Sequence, residues 1–512
     1  MFNQNSRKSN VVKSSFMGTT YEVINIILGF VYRTVFIHAL SSNYLGINGL
    51  FTNILQILSF ADLGISTAIT YRFYEPINKN DVHKVGQLMV YFKNVYRIIA
   101  IVIFVVGISL LPFLNFFIKD TNELPEDVNL KIVYLLFLLQ TLSSYLFIYK
   151  QTILSADQKQ YLVSLFQISR TTLCYTVQMI VLVLTKNYTL ILIINTILTL
   201  LTNYIFSEWA ASKYKEVFEV KDSISKEEKR QIINDTKATL CHKIGGTVLS
   251  STDNLIISKY VGIIATGLYS NYSMVLSKLS GILGQLFGGF TSSLGSAHVA
   301  QDEEKKYISY RTLLFGNFWF SGVCTICLYN LLSDFITVWV GPDMLLDDFT
   351  VIVLCIQFFV ENVRTISSSY INACGLFIKD KIRPLIEATI NLIVSIIMVN
   401  KYGIAGVFIG TIVSHLCTVF WREPYLLYKY EFKRSMKEYW LYYCFSLLIT
   451  LFLCILTKKI FVNFEVTSFI IWVLKAIIIF ILNNILIALI VHKCDDYVFF
   501  KSIILKKLGI NK

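Results

Sequence analysis

Fourteen apolar runs, each long enough to cross about 30 Å of hydrocarbon, follow one another along these 512 residues. They lie at 15–39, 46–70, 97–118, 131–153, 161–184, 188–209, 238–260, 267–294, 309–332, 349–373, 382–400, 402–421, 439–457 and 467–491. A backbone inside a bilayer must satisfy its own polar groups, so each run reads as a helix. The expected fold class is all-α integral membrane with about 14 transmembrane helices. Hydrophobic residues are 55% of the chain and charged residues 15%, against about a quarter charged in soluble domains.

The loops between these runs alternate in basic content, as the positive-inside rule demands of a multi-pass chain. One side carries Arg7, Lys8 and Lys13, then clusters such as Lys221 to Arg230, Lys305 to Arg311 and Lys429 to Lys437; the other has only Lys119, Lys131, Lys186, Lys259, Lys401, Lys458 and Lys459. Both termini are therefore expected to be cytoplasmic. The net charge of +13 is spread through short loops rather than gathered on one face, which argues against nucleic acid as a partner. The first run lacks a small-residue cleavage site and reads as a retained helix. All ten cysteines fall in spans or on the cytoplasmic side, so no disulfide framework is expected, and Cys324 and Cys327 read as packing residues.

The longest hydrophilic stretch divides twelve helices into two sixes. The expected organisation is an N-terminal six-helix lobe at 1–209, a cytoplasmic linker loop at 210–237, a C-terminal six-helix lobe at 238–437, and two extra helices with a basic tail at 438–512. Tyr44-Leu-Gly-Ile followed by Gly49, Phe51 and Asn53 recurs as Tyr260-Val-Gly-Ile followed by Gly267, Tyr269 and Asn271. Six spans separate the copies, so the two lobes are expected to form a parallel pseudo-twofold repeat, with the substrate path between them near mid-membrane. The last two spans have no repeat partner and read as an appended C-terminal helical hairpin.

Five basic side chains sit inside these spans: Arg33, Arg170, Lys278, Arg364 and Lys475. Each costs roughly 2.5–3.5 kcal/mol at a bilayer centre unless paired, snorkelling or facing water. Residues three or four apart share a helix face. Such faces run through Glu22, Asn25, Gly29 and Arg33; through Gln167, Arg170, Cys174 and Gln178; and through Glu361, Arg364, Ser368 and Asn372. Asn53 and Asp62, Asp253, Asn271 and Lys278, and Glu387 and Asn391 extend the pattern. Lys475 is close enough to its span end to snorkel, and Arg33 is intermediate. Arg33, Arg170, Lys278 and Arg364, with Asn53, Asn271 and Gln167, are the candidate substrate-binding residues, and the fitting cargo is a phosphate or diphosphate. Glu22, Asp62, Asp253, Glu361 and Glu387 are candidates for charge pairing or for Na+ or H+ coupling. A purely structural role, with Glu361 neutralising Arg364, fits the same spacing. No catalytic or metal-ligating set stands out, and the acidic loop of Asp334, Asp343, Asp347 and Asp348 reads as solvated. No phosphate-cradling G-x-x-x-x-G-K-[ST] occurs, so ATP is not expected to drive transport directly.

The segments GFVYRTVFI at 29–37, YLGINGLFTNI at 44–54, ADLGI at 61–65, TDNLIIS at 252–258, REPY at 422–425 and LYKY at 427–430 carry a resemblance. In their order and spacing the chain resembles the polysaccharide (O-antigen and capsule type) flippases of the multidrug/oligosaccharidyl-lipid/polysaccharide (MOP) exporter superfamily. That resemblance implies a non-enzymatic, multi-pass protein of the bacterial cytoplasmic membrane. It implies transfer of an undecaprenyl-diphosphate-linked oligosaccharide from the inner to the outer leaflet, alongside a polysaccharide polymerase and chain-length regulator. The alternatives are a cation-coupled multidrug exporter, a peptidoglycan lipid-precursor flippase and, less favoured by the short outer loops, an integral-membrane polymerase or glycosyltransferase.

Overall fold

The structure, a computed structural model, describes residues 7–59, 65–288 and 303–507. It divides into two compact units, Met1–Gly267 and Leu268–Lys512. Among the described residues helix occurs in all fourteen expected spans, and no strand occurs. Eleven helical segments are long and apolar enough to cross a membrane among the described residues.

The first unit contains α1 (Arg7–Ala39), α2 (Ser42–Leu58), α3 (Ile65–Asn78), α4 (Val82–Ser109), α5 (Leu130–Ala156), α6 (Gln160–Thr185), α7 (Tyr188–Lys213), the short α8 (Lys215–Glu219), α9 (Lys226–Tyr260) and the first turn of α10 (Ile263–Gly288). Side-chain caps set several helix starts. Asp81 accepts from Lys84 N at 2.9 Å, Asn187 accepts from Leu190 N at 2.9 Å, and Ser225 with Glu228 forms a capping box at α9. α1 packs along α6, α5 against α4 and α7, and α9 against α2 and α3. That last packing explains why the compact unit ends at Gly267, one span beyond the expected 210–237 boundary.

The repeated glycines have a physical role in this unit. A Cβ at Gly46 would collide with the Ile263 carbonyl, and one at Gly267 with the Ser42 carbonyl. The starts of α2 and α10 therefore cross at backbone contact, which only glycine permits. The Glu123 carboxylate caps the crossing, with Oε2 accepting from Ile263 N at 2.8 Å and from Ile264 N at 3.3 Å. A negative charge at a helix N-terminus complements its unpaired N–H groups.

The second unit continues α10 and adds α11 (Glu303–Val340), α12 (Asp348–Asn362), α13 (Thr365–Ala373), α14 (Arg383–Tyr402), α15 (Ile404–Cys417), α16 (Val419–Leu426), a π turn (Leu427–Phe432), α17 (Lys437–Ile460), α18 (Phe469–Val491) and α19 (Asp495–Lys507). α14 and α15 form its tightest pair. Gly406 and Gly410 bring α15 onto Met398 and Ser395, Ser395 Oγ donates to the Val407 carbonyl at 2.9 Å, and Asn391 Nδ2 donates to Thr411 Oγ1 at 2.9 Å. The α17–α18 hairpin packs on α11, where Trp319 Nε1 donates to Asn484 Oδ1 at 2.9 Å. Beside these contacts runs an open apolar groove of about 330 Å³, lined by Trp319, Gly322, Phe445, Ile449, Ile487 and Val491 among others.

Lys475 corrects the sequence reading. It is 6% exposed and does not snorkel; its Nζ pairs with Asp334 Oδ2 at 2.8 Å and reaches the Phe464 carbonyl at 3.3 Å. Burial against α11 removes the route to the headgroups and supplies a counter-charge instead. Asp334 is thereby an ion-pair partner, and Asp347 caps α12 by accepting from Thr350 N at 2.9 Å.

Candidate functional site

In the first unit, α1 and α6 lie side by side in parallel register. Tyr161 N donates to Ser14 Oγ at 3.1 Å near one end, and Tyr32 stacks on Tyr175 at 5.1 Å nearer the other. This pair carries Glu22, Arg33, Gln167 and Arg170, all half-buried. Arg33 lies against the Tyr32–Tyr175 stack. Arg170 stands about 15 Å from the nearer end of α6 at 1.5 Å per residue. Among the described residues it has no carboxylate within 4 Å.

The rest of the α6 stripe serves packing. Gln178 Nε2 donates to Asn195 Oδ1 at 3.1 Å, Asn195 Nδ2 to Gln140 Oε1 at 3.3 Å, and Gln140 Nε2 to Thr196 Oγ1 at 2.8 Å. This amide ladder ties α5, α6 and α7 together. Cys174 is buried, and Gln167 and Arg170 are the polar part of the stripe outside that ladder. Asn53 is buried and donates to the Gly49 carbonyl of its own helix at 2.8 Å. Asp253 is half-buried on α9, and Asp62 lies outside the described residues.

In the second unit, Asn271 is fully buried on α10, and Lys278 is half-buried farther along the same helix. Among the described residues Lys278 also has no carboxylate within 4 Å. Arg364 differs. The helix breaks at Val363 and Arg364, so Glu361, exposed at the end of α12, does not take the expected i, i+3 role. A break at membrane depth strands carbonyls that need donors. Asn317 of α11, fully buried, supplies them, its Nδ2 donating to the Asn362 carbonyl at 3.1 Å and to that of Val363 at 2.6 Å.

The break turns Arg364 toward α16. Its Nη2 donates to Glu423 Oε1 at 2.6 Å and its Nε to Oε2 at 3.3 Å. Glu387 is 1% exposed and pairs with Arg383 Nη1 at 2.5 Å. Glu423, Arg383 and His415 were not singled out from sequence as site residues. A usable signal existed for two of them: an acid between Arg422 and Pro424, and a lone histidine in the glycine-spaced run of α15. Among the described residues no group of three or more His, Cys, Asp or Glu side chains is arranged to hold a metal ion.

The family described as "Polysaccharide biosynthesis protein" matches residues 11–289, more than half of the chain. The chain belongs to the polysaccharide biosynthesis protein family. Its fold is that of MOP superfamily transporters. The chain is similar to a lipid II flippase, MurJ, in an inward closed conformation, with a TM-score of 0.64 and 16% identity over 97% of this chain and 99% of that one. It is also similar to a multidrug resistance MATE family transporter of the MOP superfamily in an inward-facing conformation, with a TM-score of 0.62 and 15% identity over 79% and 95%. A third likeness is to a MOP superfamily transporter from Pyrococcus furiosus, with a TM-score of 0.52 and 14% identity over 82% and 95%. No curated protein matches at comparable significance. This member of the polysaccharide biosynthesis protein family thus has the expected all-α, multi-pass architecture, and among the described residues Arg170 in the first unit and Lys278 in the second have no carboxylate within 4 Å.

Proposed function

We propose that the chain is a flippase for undecaprenyl-diphosphate-linked oligosaccharide repeat units. It carries them from the inner to the outer leaflet of the bacterial cytoplasmic membrane by alternating access, for O-antigen, capsule or another polysaccharide. Arg170 and Lys278 are the observation that carries this reading. A membrane-depth cation without a carboxylate is costly, and an anionic headgroup offsets that cost through charge-assisted hydrogen bonds. Gln167 beside Arg170 supplies an amide suited to sugar hydroxyls. The apolar groove of about 330 Å³ on α11, α17 and α18 offers a surface on which an isoprenoid chain can rest. Transport of this kind needs no catalytic residues, and both termini are cytoplasmic in this reading.

The lipid II flippase likeness, which covers nearly the whole of both chains, favours a second reading in which the cargo is the peptidoglycan lipid precursor. One experiment separates them. In cells carrying Arg170→Ala or Lys278→Ala, surface polysaccharide is lost, the protein level is kept, and the diphosphate-linked repeat unit accumulates in the lipid extract. Accumulation of the peptidoglycan precursor instead would support the second reading. Full surface polysaccharide in both mutants would overturn the cargo assignment. A cysteine placed at position 225 and labelled by an impermeant reagent in intact cells would overturn the orientation.

A further inference from the structure

The second unit holds a cluster of buried charges built around one histidine. Arg364 pairs with Glu423 at 2.6 Å; Arg383 lies 2.5 Å from Glu387 and 3.9 Å from Glu423, and also pairs with Asp380; Arg422 joins Asp380 at 3.3 Å. Three guanidiniums, which stay protonated in proteins, balance three carboxylates. Beside them stands His415, and histidine is the residue type ordinarily used to bind and release protons near neutral pH. Its side chain is 8% exposed, and its Nδ1 stands 2.9 Å from Glu387 Oε1.

Neither of those two buried atoms has an aligned hydrogen-bond partner. A nitrogen and an oxygen lone pair this close, away from water, repel each other unless a proton lies between them. A cavity of about 20 Å³, lined by His415, Arg364, Glu423 and Tyr439 among others, adjoins the pair. That is room for about one water molecule, which can deliver the proton. The charged and titratable groups around His415 come from every element packed on it: Arg383 and Glu387 of α14, Asp380 of the preceding turn, Arg364 with Glu361 behind it, Arg422 and Glu423 of α16, and Tyr439 and Tyr443 of α17. Tyr269 of α10 packs on Phe408, about two turns away along α15.

We propose that His415 and Glu387 form a proton-binding site that controls the Arg364–Glu423 pair at the α12–α13 break. One proton from the aqueous phase, relayed through water in the cavity, adds to the ring nitrogen that is unprotonated in the neutral imidazole, and the cluster changes from neutral to +1. Imidazolium then draws on Glu387, weakening its 2.5 Å hold on Arg383. Arg383 is released toward Glu423, now 3.9 Å away, and competes there with Arg364. The site is thereby a candidate for the coupling ion of a transporter, with H+ rather than Na+ as the ion. The relay does not depend on which lipid is carried.

The test uses the full chain in lipid nanodiscs with ring-13C-labelled histidine, the His415 signal being assigned by its loss in His415→Gln. Lowering the pH from 8 to 5.5 should shift that signal. Amide hydrogen exchange at 360–368 and 415–426, corrected for the intrinsic effect of pH, should rise about threefold or more as the pair loosens. His415→Gln and Glu387→Gln should each flatten that rise. A His415 signal indifferent to pH, or equal corrected exchange at the two pH values, overturns the proposal. The wild-type exchange measurement decides the matter even if the variants do not fold.

Discussion

Arg364 and Glu423, 59 residues apart, close on each other as a two-pronged ion pair at 2.6 and 3.3 Å. Glu423 is 3% exposed, so removing the guanidinium leaves a buried carboxylate whose nearest remaining counter-charge is Arg383 at 3.9 Å. Breaking one partner of a buried pair costs about 3–5 kcal/mol, whereas replacing both with apolar groups is often near neutral. Arg364→Ala should therefore lower stability by about 3 kcal/mol, and Arg364→Met with Glu423→Leu should recover most of it. Chemical denaturation of the detergent-solubilised protein reads both. Arg170→Ala and Lys278→Ala break no carboxylate pair among the described residues and should stay within about 1 kcal/mol of the parent. Of Arg170, Lys278 and Arg364, all candidates for contact with an anionic cargo, Arg364 alone should fail through folding.

The spans were legible because length and hydropathy are local properties: among the described residues every apolar run is helical, although the 349–373 run breaks at Val363 and Arg364. Gly46 and Gly267, one from each copy of the repeated motif, were visible too, although their meaning, a backbone crossing capped by Glu123, required the third dimension. Charge pairing was not legible. Spacing offered Glu361 as the neighbour of Arg364, yet that rule assumes an unbroken helix, and the break held by Asn317 voids it. Lys475 failed for a related reason. Its distance from the span end was right, and the burial that forbids snorkelling comes from α11, distant in sequence.

Gly406 and Gly410 set how closely α15 approaches α14. A side chain at Gly406 would strike the Met398 carbonyl, and one at Gly410 the Ser395 side chain and backbone. Backbone cannot yield without separating the helices and losing the Asn391–Thr411 hydrogen bond of 2.9 Å. Gly406→Leu should destabilise by about 3 kcal/mol, at the upper end of overpacking costs. Gly18, on α1 with nothing within 4 Å of its Cβ position, provides the control. Gly18→Ala should be neutral or gain up to about 1 kcal/mol from helix propensity. Thermal unfolding of the two variants side by side checks both.

Outside the spans, Glu228 at the start of α9 ties the 220–225 segment to α4. Its carboxylate pairs with Lys84 Nζ at 2.6 Å and accepts from Ser225 N at 3.2 Å. The hydrogen bond from Lys84 holds the Glu228 carboxyl below its ordinary value, against the opposing effect of burial. A carboxyl lowered on folding stabilises above its unfolded value of about 4.3 and loses that contribution as pH falls through the lower folded value. Docking of this segment should accordingly be constant from pH 8 to 5 and weaken only below about pH 4. Limited proteolysis at 215–230 with an acid-active protease reads the transition. Ser225→Ala should increase cleavage at every pH, since the cap is worth about 1 kcal/mol.

Lys475 and Asp334 predict an asymmetry. The lysine side chain is 7% exposed and the aspartate 34% exposed, so the two charges differ in what happens when each is left alone. Asp334→Asn strands an ammonium beside the Phe464 carbonyl in an apolar setting and should cost about 3 kcal/mol. Lys475→Met keeps the volume, removes the desolvated charge, and leaves an aspartate that water already reaches; its cost should stay below about 1 kcal/mol. Both substitutions break the same 2.8 Å contact, so equal losses would mean that the contact itself, rather than the stranded charge, sets the energy. Denaturation curves of the two single variants and their double decide between these, the double being expected to resemble Lys475→Met.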